Sequence, residues 1–408
     1  MAVTPDIKPV KGGVLAAEGF CAAGVYAGIK TDKSKRDVGL LVADSPVNGA
    51  VTLTTNRVKA APVKWCRKVL QKRKQVRAVV VNSGNANACT GPRGAKDTAA
   101  TADALAGLIG CKAGEILVAS TGIIGEFLPM EKISSGISKS FRSLGSSPTA
   151  AGRFADSILT TDTVRKEYAV RVTHRGKSFC IGGCSKGAGM IGPNMATMLS
   201  FITTDAQVDS ATLLRSLKKA VQQSFNSIIV DGHTSTNDTV ILLAGGKSGT
   251  RIFGKSWGDI FQAALNLVTL ELAKSIVRDG EGATKLVRID VTGAESHAAA
   301  RTIAATMARS PLNMTAIHGG DPNWGRFISS AGYAGPNFVE EKAKLFIGDK
   351  LVYRFGRPAD TPTEELNAAM RKTEIHLLLS LGLGRGKSTV WACDLSRDYI
   401  TINADYHT

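Results

Sequence analysis

The sequence predicts a layered fold of mixed strands and helices, either α/β or α+β. The chain of 408 residues is 43% hydrophobic and 21% charged, which is typical of a folded protein with a sizeable core. Apolar runs typical of strands alternate with stretches of helical periodicity, but without a strict strand–helix–strand rhythm. At roughly 100–200 residues per domain, the length predicts two or three domains.

The first elements follow from apolar runs and turn residues. An apolar run predicts a strand over 75–81, and the Asn, Gly and Ala residues of 82–91 predict a loop after it. An alanine-rich helix is expected over about 95–109. A second strand over 115–119 leads into a turn at 120–125.

The middle of the chain predicts a hairpin and a glycine-rich loop. Apolar positions alternate over 168–181 around His174-Arg-Gly176, which is the pattern of a β-hairpin. The glycine-rich segment 182–192 is predicted to be a loop, and a strand is expected at 197–202.

The second half contains the clearest helix and several strands. Apolar residues recur at helical spacing over 261–276, and Gly280 is a suitable C-terminal stop. Further strands are predicted at 239–244, 285–292, 388–395 and 398–404. In the last of these, polar and apolar residues alternate, which predicts one polar face that includes Asn403.

The net charge, the apolar runs and the N-terminal segment give expectations about binding partners and cellular location. The excess of 51 basic over 34 acidic residues gives +17, but the basic stretch 64–77 lacks interleaved aromatic residues and is typical of a solvated helix face. No run reaches the roughly 18 consecutive apolar residues that a membrane span needs. The N-terminus has neither a secretory nor a transit pattern. We therefore expect a cytoplasmic protein that binds neither nucleic acid nor a membrane.

The cysteines and the phosphate-loop patterns do not predict a cofactor site. Seven scattered cysteines lack the paired spacing of a zinc site, so we expect reduced and mostly buried thiols and no metal. A GxGxxG match at 187–192 is followed by Pro193 instead of a helix, which argues against dinucleotide binding. The P-loop-like segment 383–388 lacks the first glycine, because Leu381 stands there.

The segment 182–198 is the remaining candidate for chemistry because it ends at Ala196-Thr197. Taken alone, it is more typical of a loop whose threonine begins the next strand. A threonine hydroxyl is a poor nucleophile until a base removes its proton. Backbone cleavage before Thr197 would supply that base, since the new α-amino group titrates near roughly 7.7–8.0 and belongs to the same residue.

Acyl chemistry at a threonine also requires hydrogen-bond donors for an oxyanion. The turn Thr121-Gly122 follows a predicted strand and can present a hydroxyl and backbone N–H groups. We therefore interpret this turn as a candidate oxyanion site.

Nine motifs spread over nearly the whole chain carry a family resemblance. They are Thr54-Thr-Asn-Arg57, Asn82-Ser-Gly-Asn-Ala-Asn87, Ser120-Thr-Gly122, Thr160-Thr-Asp-Thr163, Lys186-Gly-Ala-Gly-Met190, Pro193-Asn-Met-Ala-Thr197, Thr234-Ser-Thr-Asn-Asp-Thr239, Asp321-Pro-Asn-Trp-Gly-Arg326 and Ile402-Asn-Ala-Asp-Tyr406. In these motifs the chain resembles the ornithine acetyltransferase family, glutamate N-acetyltransferases of arginine biosynthesis that cleave themselves at an Ala-Thr bond.

The resemblance implies roles for individual residues. Thr197 would be the N-terminal nucleophile of the second fragment, and Thr121 and Gly122 would stabilise the oxyanion. The implied substrate-binding residues are Thr160, Lys186, Thr197, Glu281, Asn403 and Thr408. Lys186 suits an α-carboxylate, Glu281 suits an ammonium, and Asn403 can both donate and accept hydrogen bonds. His233, where similar proteins usually carry an acidic residue, and His318 have no assigned role.

The resemblance also implies an architecture and a reaction. The fold would be an α/β sandwich with β-sheets packed between helices over 1–282, followed by a smaller C-terminal α/β portion over 283–408 whose tail returns to the active site. Cleavage would give an α chain 1–196 and a β chain 197–408 that assemble as α2β2. An acetyl group would pass from N2-acetyl-L-ornithine to L-glutamate through acetyl-Thr197 without a cofactor. The use of acetyl-CoA as a second acetyl donor stays open.

Two other functions remain as alternatives. A related self-cleaving aminopeptidase would use water as the acyl acceptor, although the Lys186 and Asn403 matches favour the transferase. A nucleic-acid-binding protein is suggested only by the +17 charge, and no matching module accompanies it.

Overall fold

The computed structural model describes residues 4–72, 75–192 and 198–405. Within these ranges, nine strands form the larger sheet, in the order β1-β6-β7-β8-β10-β3-β4-β5 with β2 paired to β3. These strands are β1 (Asp6–Pro9), β2 (Phe20–Val25), β3 (Val38–Leu53), β4 (Gln75–Asn85), β5 (Ile116–Ile123), β6 (Lys166–His174), β7 (Lys177–Lys186), β8 (Leu199–Thr204) and β10 (Thr239–Ala244).

The second sheet joins seven strands of the described chain in the order β14-β13-β12-β15-β11-β16-β9. Its strands are β9 (Ile228–Ile229), β11 (Leu286–Ala294), β12 (Lys344–Ile347), β13 (Lys350–Arg354), β14 (Arg357–Pro358), β15 (Glu374–Ser380) and β16 (Gly386–Cys393).

Helices cover the outer faces of these sheets. They are α1 (Ala61–Lys72), α2 (Gly91–Ile109), α3 (Met130–Arg142), α4 (Pro148–Ser157), α5 (Ser210–Gln223), α6 (Gly254–Arg278), α7 (His297–Arg309), α8 (Pro311–Gly319), α9 (Trp324–Gly332), α10 (Thr363–Met370) and α11 (Arg397–Asp405).

The long strand β3 makes the larger sheet fold over on itself. The first part of β3 pairs with β2 and β4, its last part pairs with β10, and the register with β4 shifts between Val42 and Val47. Apolar side chains of both halves fill the space between them, including Leu41, Val79 and Phe201. The strands thus form two inner layers of a sandwich.

The opposite faces of both inner layers are covered by helices. Val80 of β4 and Val118 of β5 pack with Leu105 of α2 and Ile137 of α3. On the other side, residues of β6, β7, β8 and β10 pack with α5 and α6. This arrangement confirms the predicted α/β sandwich with β-sheets between helices.

Helix α6 shows how apolar sequence and burial are related in this fold. It is long and apolar enough to cross a membrane by length and composition, but 56% of its most apolar window is buried inside the protein. Phe261, Leu265 and Leu272 lie in the core between α6 and the sheet. Its composition is therefore explained by packing, as the spacing in the sequence predicts.

The C-terminal portion has its own core. Side chains of β11, β15 and β16 pack with α7 and α9, around Ile303 and Phe327. The smaller C-terminal α/β portion is thus confirmed, while the division into domains at 282 and 283 stays a prediction.

Most predicted elements are present, with some ends shifted. The hairpin is confirmed: β6 and β7 pair in antiparallel register around Arg175 and Gly176, whose φ values of 49° and 72° are those of a type I′ turn. Strand β10 has the predicted bounds, while β4 extends to Asn85 and β7 to Lys186. Strand β5 extends to Ile123, so the turn predicted at 120–125 is wrong for 120–123. Residues predicted to be loops therefore belong to strand ends.

The predicted strand over 398–404 is wrong, because this segment forms helix α11. The described helix buries none of its side chains, so the polar–apolar alternation does not reflect a half-buried strand. Tyr399 N donates to Ser396 Oγ at 3.4 Å, which is a capping contact at the helix start. Local capping and helical hydrogen bonding decide the conformation of this exposed segment.

Candidate active site

One cavity of about 100 Å³ collects most of the side chains that the sequence singles out. Its lining includes Thr121, Gly122, Thr160, Lys186, Glu281 and Asn403. Residues far apart in sequence thus meet at the ends of β5 and β7, after α6 and on α11. Ala196, Thr197 and Thr408 lie outside the described residues.

Thr121 and Gly122 lie near the end of β5, where the pairing of β4 with β5 is irregular and Asn85 is opposite both Thr121 and Ile123. Gly122 has a φ of 131°, and a Cβ there would lie 2.3 Å from the carbonyl carbon of Gly84. Only glycine fits this backbone and this close approach. The strand end is therefore shaped so that it bends beside the cavity.

Asn237 holds the backbone of β5 just before Thr121 and the backbone just after β4. Its side-chain amide donates to the carbonyl oxygens of Ala86 at 2.6 Å and Ser120 at 2.8 Å. Its own Oδ1 accepts from the Thr236 hydroxyl at 2.6 Å. Asn237 is buried and lies just before β10. Its hydrogen bonds therefore connect the start of β10 to the ends of β4 and β5.

Lys186 brings a cation to the cavity from the last position of β7. Its Nζ donates to Thr121 Oγ1 at 3.5 Å, and the residue is only 2% exposed. Burial lowers the pKa of Lys186, while the Asp162 carboxylate acts in the opposite direction. The ammonium is thus poorly hydrated and well placed to receive an anionic group.

A buried charge cluster holds the loop that carries Thr160. Lys166 lies between the carboxylates of Asp162, at 2.6 Å, and Asp279. Asp162 also accepts from the backbone N–H of Thr160 at 3.0 Å and of Gly187 at 2.7 Å. Burial works to raise the pKa of Asp162, but the charges of Lys186 and Lys166 hold it well below its usual range.

Glu281 brings a carboxylate to the other side of the cavity. Its Oε2 accepts from Asn403 Nδ2 at 2.8 Å, which connects α11 to the site. A Cβ at position 189 would lie 2.2 Å from this oxygen, so Gly189 leaves room for the carboxylate. The cavity therefore presents an ammonium and a carboxylate, a pairing that suits a substrate with both an α-carboxylate and an amino group.

The predicted nucleophile precedes a residue that is firmly held. The Met198 N–H donates to Asp238 Oδ1 at 2.9 Å, and its carbonyl accepts from Thr239 N at 3.1 Å. Met198 then leads into β8, between β7 and β10. Met198, which follows Thr197, is thus hydrogen-bonded to Asp238 and Thr239, the two residues that follow Asn237.

Sequence reasoning missed the residues that hold the site together. Asp162, Lys166, Asn237, Asp238 and Asp279 are buried and bind backbone or charged groups around the cavity. Three of them stand inside the motifs 160–163 and 234–239, so those motifs contained the signal. Lys166 and Asp279 had no such signal.

Metal-ligating side chains are not clustered in the described part of the chain. No group of three or more His, Cys, Asp or Glu side chains lies close enough to hold a metal ion in that part of the chain. The expectation of a reaction without metal or cofactor stays a prediction.

Comparison with known proteins identifies the family. The ArgJ family model matches residues 21–408. The chain belongs to the ArgJ family. It is 45% identical over 406 residues to the arginine biosynthesis bifunctional protein ArgJ of Dehalococcoides mccartyi, with 99% of each chain covered. It is 42% identical over 407 residues to the protein of the same name from Oceanobacillus iheyensis, covering 99% of this chain and 98% of that one.

A solved structure is also similar to part of the chain. The ornithine acetyltransferase of Mycobacterium tuberculosis, complexed with ornithine, shares 41% sequence identity. The match covers 47% of this chain and 98% of that chain, with a TM-score of 0.43.

Proposed function

We propose that this ArgJ family member transfers an acetyl group from N2-acetyl-L-ornithine to L-glutamate in arginine biosynthesis. The observation that carries the proposal is the single cavity in which Thr121, Lys186 and Glu281 meet. Its opposite charges match an amino-acid substrate, and the names of the ArgJ relatives support the pathway.

The chain first cleaves itself between Ala196 and Thr197. The Thr197 hydroxyl oxygen bonds to the Ala196 carbonyl carbon, the peptide C–N bond breaks, and the hydroxyl proton passes to the leaving nitrogen, which becomes the free α-amino group of Thr197. Water then hydrolyses the ester and releases the Ala196 carboxyl group and the Thr197 hydroxyl. Fragments 1–196 and 197–408 stay together as α2β2 in the cytoplasm. The buried contacts between β7, β8 and β10 support a lasting association, since β7 lies before the cleaved bond and the other two strands lie after it.

Acetyl transfer then proceeds in two half-reactions. The Thr197 α-amine takes the hydroxyl proton while the hydroxyl oxygen attacks the acetyl carbonyl of acetylornithine. Thr121 and the backbone at Gly122 stabilise the oxyanion, and ornithine leaves with the proton. Glutamate then attacks the acetyl-Thr197 ester in the same site and leaves as N-acetylglutamate.

Within this reaction, Lys186 binds the substrate α-carboxylate and Glu281 binds an ammonium, held in place by Asn403. Thr160 and Thr408 complete the substrate contacts. No metal or cofactor takes part. Acetyl-CoA is a second acetyl donor, a proposal that the word "bifunctional" in the names of the relatives supports.

The test is to incubate the purified protein with acetylornithine and glutamate and to measure both products. Equal amounts of ornithine and N-acetylglutamate are expected, and neither should form with a Thr197→Ala variant. Free acetate in place of N-acetylglutamate would show that water is the acceptor. Replacing acetylornithine with acetyl-CoA in the same assay tests the second donor.

A further inference from the structure

A second cavity, of about 620 Å³, is lined by three arginines and one carboxylate. Its volume lies within the roughly 300–1,000 Å³ that is typical of small-molecule sites. The residues that line this arginine cavity are Arg36, Pro148, Thr149, Arg153, Asp156 and Arg165. Acetyl transfer from acetylornithine, as proposed above, uses none of them.

Two of the arginines share the carboxylate of Asp156. Arg165 donates to both of its oxygens, at 2.8 Å each, and Arg36 Nε lies 4.0 Å from Oδ2. Arg165 Nη1 also lies 3.5 Å from Glu167 Oε2. Gly152 leaves room for this guanidinium, since a Cβ there would lie 2.2 Å from Arg165 Nη1. These contacts hold two guanidinium groups in place at the cavity.

The third arginine, Arg153, has no partner of this kind. Within residues 4–72, 75–192 and 198–405 no carboxylate pairs with it, and its buried Nε–H has no hydrogen-bond acceptor. A guanidinium has five N–H donors in a planar arrangement that suits phosphate oxygens. Arg153 therefore brings an uncompensated positive charge to the cavity, which favours an anionic ligand.

The arginine cavity adjoins the active-site cavity. Lys30 Nζ donates to the carbonyl oxygens of Arg36 and Leu159, at 2.7 Å each. Arg36 lines the arginine cavity, and Leu159 directly precedes Thr160, which lines the active-site cavity. The loop that carries Thr160 runs from the end of α4, which contains Asp156, to the start of β6. This loop thus separates the two cavities.

The sizes of the two cavities suit different parts of a large acetyl donor. The active-site cavity, at about 100 Å³, is much smaller than the arginine cavity and matches an amino acid. A donor that carries its acetyl group on CoA must therefore place its nucleotide and phosphates outside the active-site cavity. The arginine cavity offers both the volume and the positive charge for them.

We propose that the arginine cavity binds the phosphate groups of acetyl-CoA, with Arg153 as the main contact, while the acetyl end of the donor reaches the active-site cavity past the loop of Thr160. The inference rests on the use of acetyl-CoA as a second acetyl donor in the proposed function. Acetylornithine has no phosphate groups, so the two donors should depend on different residues.

Arg153→Met is the decisive variant, because it removes the guanidinium and keeps an unbranched side chain. Arg67→Met is the matched control, since Arg67 lines a different cavity, of about 640 Å³, between α1 and α5. KM for acetyl-CoA and KM for acetylornithine are measured for each protein with glutamate as the acceptor. Binding of CoA to each protein is measured by titration calorimetry.

We expect Arg153→Met to raise KM for acetyl-CoA about tenfold or more, as loss of a hydrogen bond between charged groups does, and to weaken CoA binding similarly. KM for acetylornithine should not change. Arg67→Met should leave both KM values at the wild-type level. With the wild-type protein, inorganic pyrophosphate should compete with acetyl-CoA and not with acetylornithine.

An unchanged KM for acetyl-CoA in Arg153→Met would overturn the inference, and so would an equal rise in KM for acetylornithine. A rise in KM for acetyl-CoA in Arg67→Met would place the phosphates in the other cavity. Pyrophosphate that does not compete with acetyl-CoA would overturn the inference even if Arg153→Met fails to fold. A wild-type protein that uses acetylornithine but neither binds CoA nor uses acetyl-CoA would reject the second donor and this inference, and would leave transfer from acetylornithine intact.

Discussion

Gly122 is required by space as well as by its backbone angle. Changing it to alanine places a methyl group 2.3 Å from the Gly84 backbone, which must displace the turn beside the cavity. We expect Gly122→Ala to lower kcat by about 10²–10³-fold, the effect of losing one oxyanion donor. Steady-state acetyl-transfer kinetics measure this.

Gly125→Ala is the control for backbone strain alone. Gly125 also has a positive φ, of 92°, but a Cβ there would meet no atom within 4 Å. This variant should lose some stability and keep its turnover. Equal losses of turnover in both variants would argue against a special role for the turn at 122.

The charge of Lys186 should make substrate binding sensitive to alkaline pH. Because burial lowers its pKa from the ordinary value of 10.5, Lys186 loses its proton at a lower pH than an exposed lysine. The protonated form binds the substrate carboxylate, so KM should rise as the pH is raised toward 10.5. In Lys186→Met, KM should be high at every pH. A KM–pH curve that this substitution leaves unchanged would remove Lys186 from the binding site.

Helix α11 is connected to the site by a hydrogen bond from Asn403 to Glu281. The variant Asn403→Ala removes this hydrogen bond and should raise KM for acetylornithine about tenfold or more, because a hydrogen bond to a charged group contributes roughly 1.5–3 kcal/mol. Thr401→Ala, which removes only a contact to Arg397 of the same helix, is the matched control.

Deleting His407 and Thr408 should also raise KM while leaving self-cleavage intact. Failure of the truncated chain to cleave would show that the tail supports the fold near Thr197.

Helix α11 also shows which elements are difficult to predict from a single sequence. Buried elements such as β10 and the hairpin β6–β7 were predictable because burial imposes a clear periodicity and the turn needs specific residues. Helix α11 buries no side chain, so no such constraint acts on its pattern. The ends of β4 and β7 were missed because pairing with neighbouring strands outweighs the turn preference of their Asn and Gly residues.

The buried cluster of Asp162, Lys166 and Asp279 connects distant parts of the molecule. Its ion pairs join the segment before β6 to the end of α6. Lys166→Met removes the cation that lies between two buried carboxylates, and we expect a loss of about 3–5 kcal/mol in the free energy of unfolding. Acid unfolding should also begin at a higher pH, because the lysine helps to hold the pKa of Asp162 low. Denaturant titrations at several pH values measure both effects.

Lys255→Met is the matched control for this stability prediction. Lys255 pairs with Asp259 one helical turn away, but its side chain is 90% exposed, and such pairs contribute little. A Lys166→Met protein as stable as the Lys255→Met protein would show that the cluster does not hold the site loop.

The family and the gathering of site residues could be inferred from motifs, but the supporting contacts could not. Thr121, Lys186 and Glu281 are spread over 160 positions of sequence, and the folding of the large sheet brings them to one cavity. The partners of Lys166 depend on which loops meet in three dimensions, and a single sequence carries no periodic signal for such a contact. The motifs therefore indicated the residues that face the cavity more readily than those that support it.

Self-cleavage and the acetyl-Thr197 intermediate are tested most directly by the mass of the protein after brief exposure to N2-acetylornithine without glutamate. We expect two chains, 1–196 and 197–408, with one added acetyl group on the second chain and located at its first residue, Thr197. Adding glutamate should remove that acetyl group. An active protein that remains a single chain of 408 residues, or an acetyl group on any other residue, would contradict the central claim.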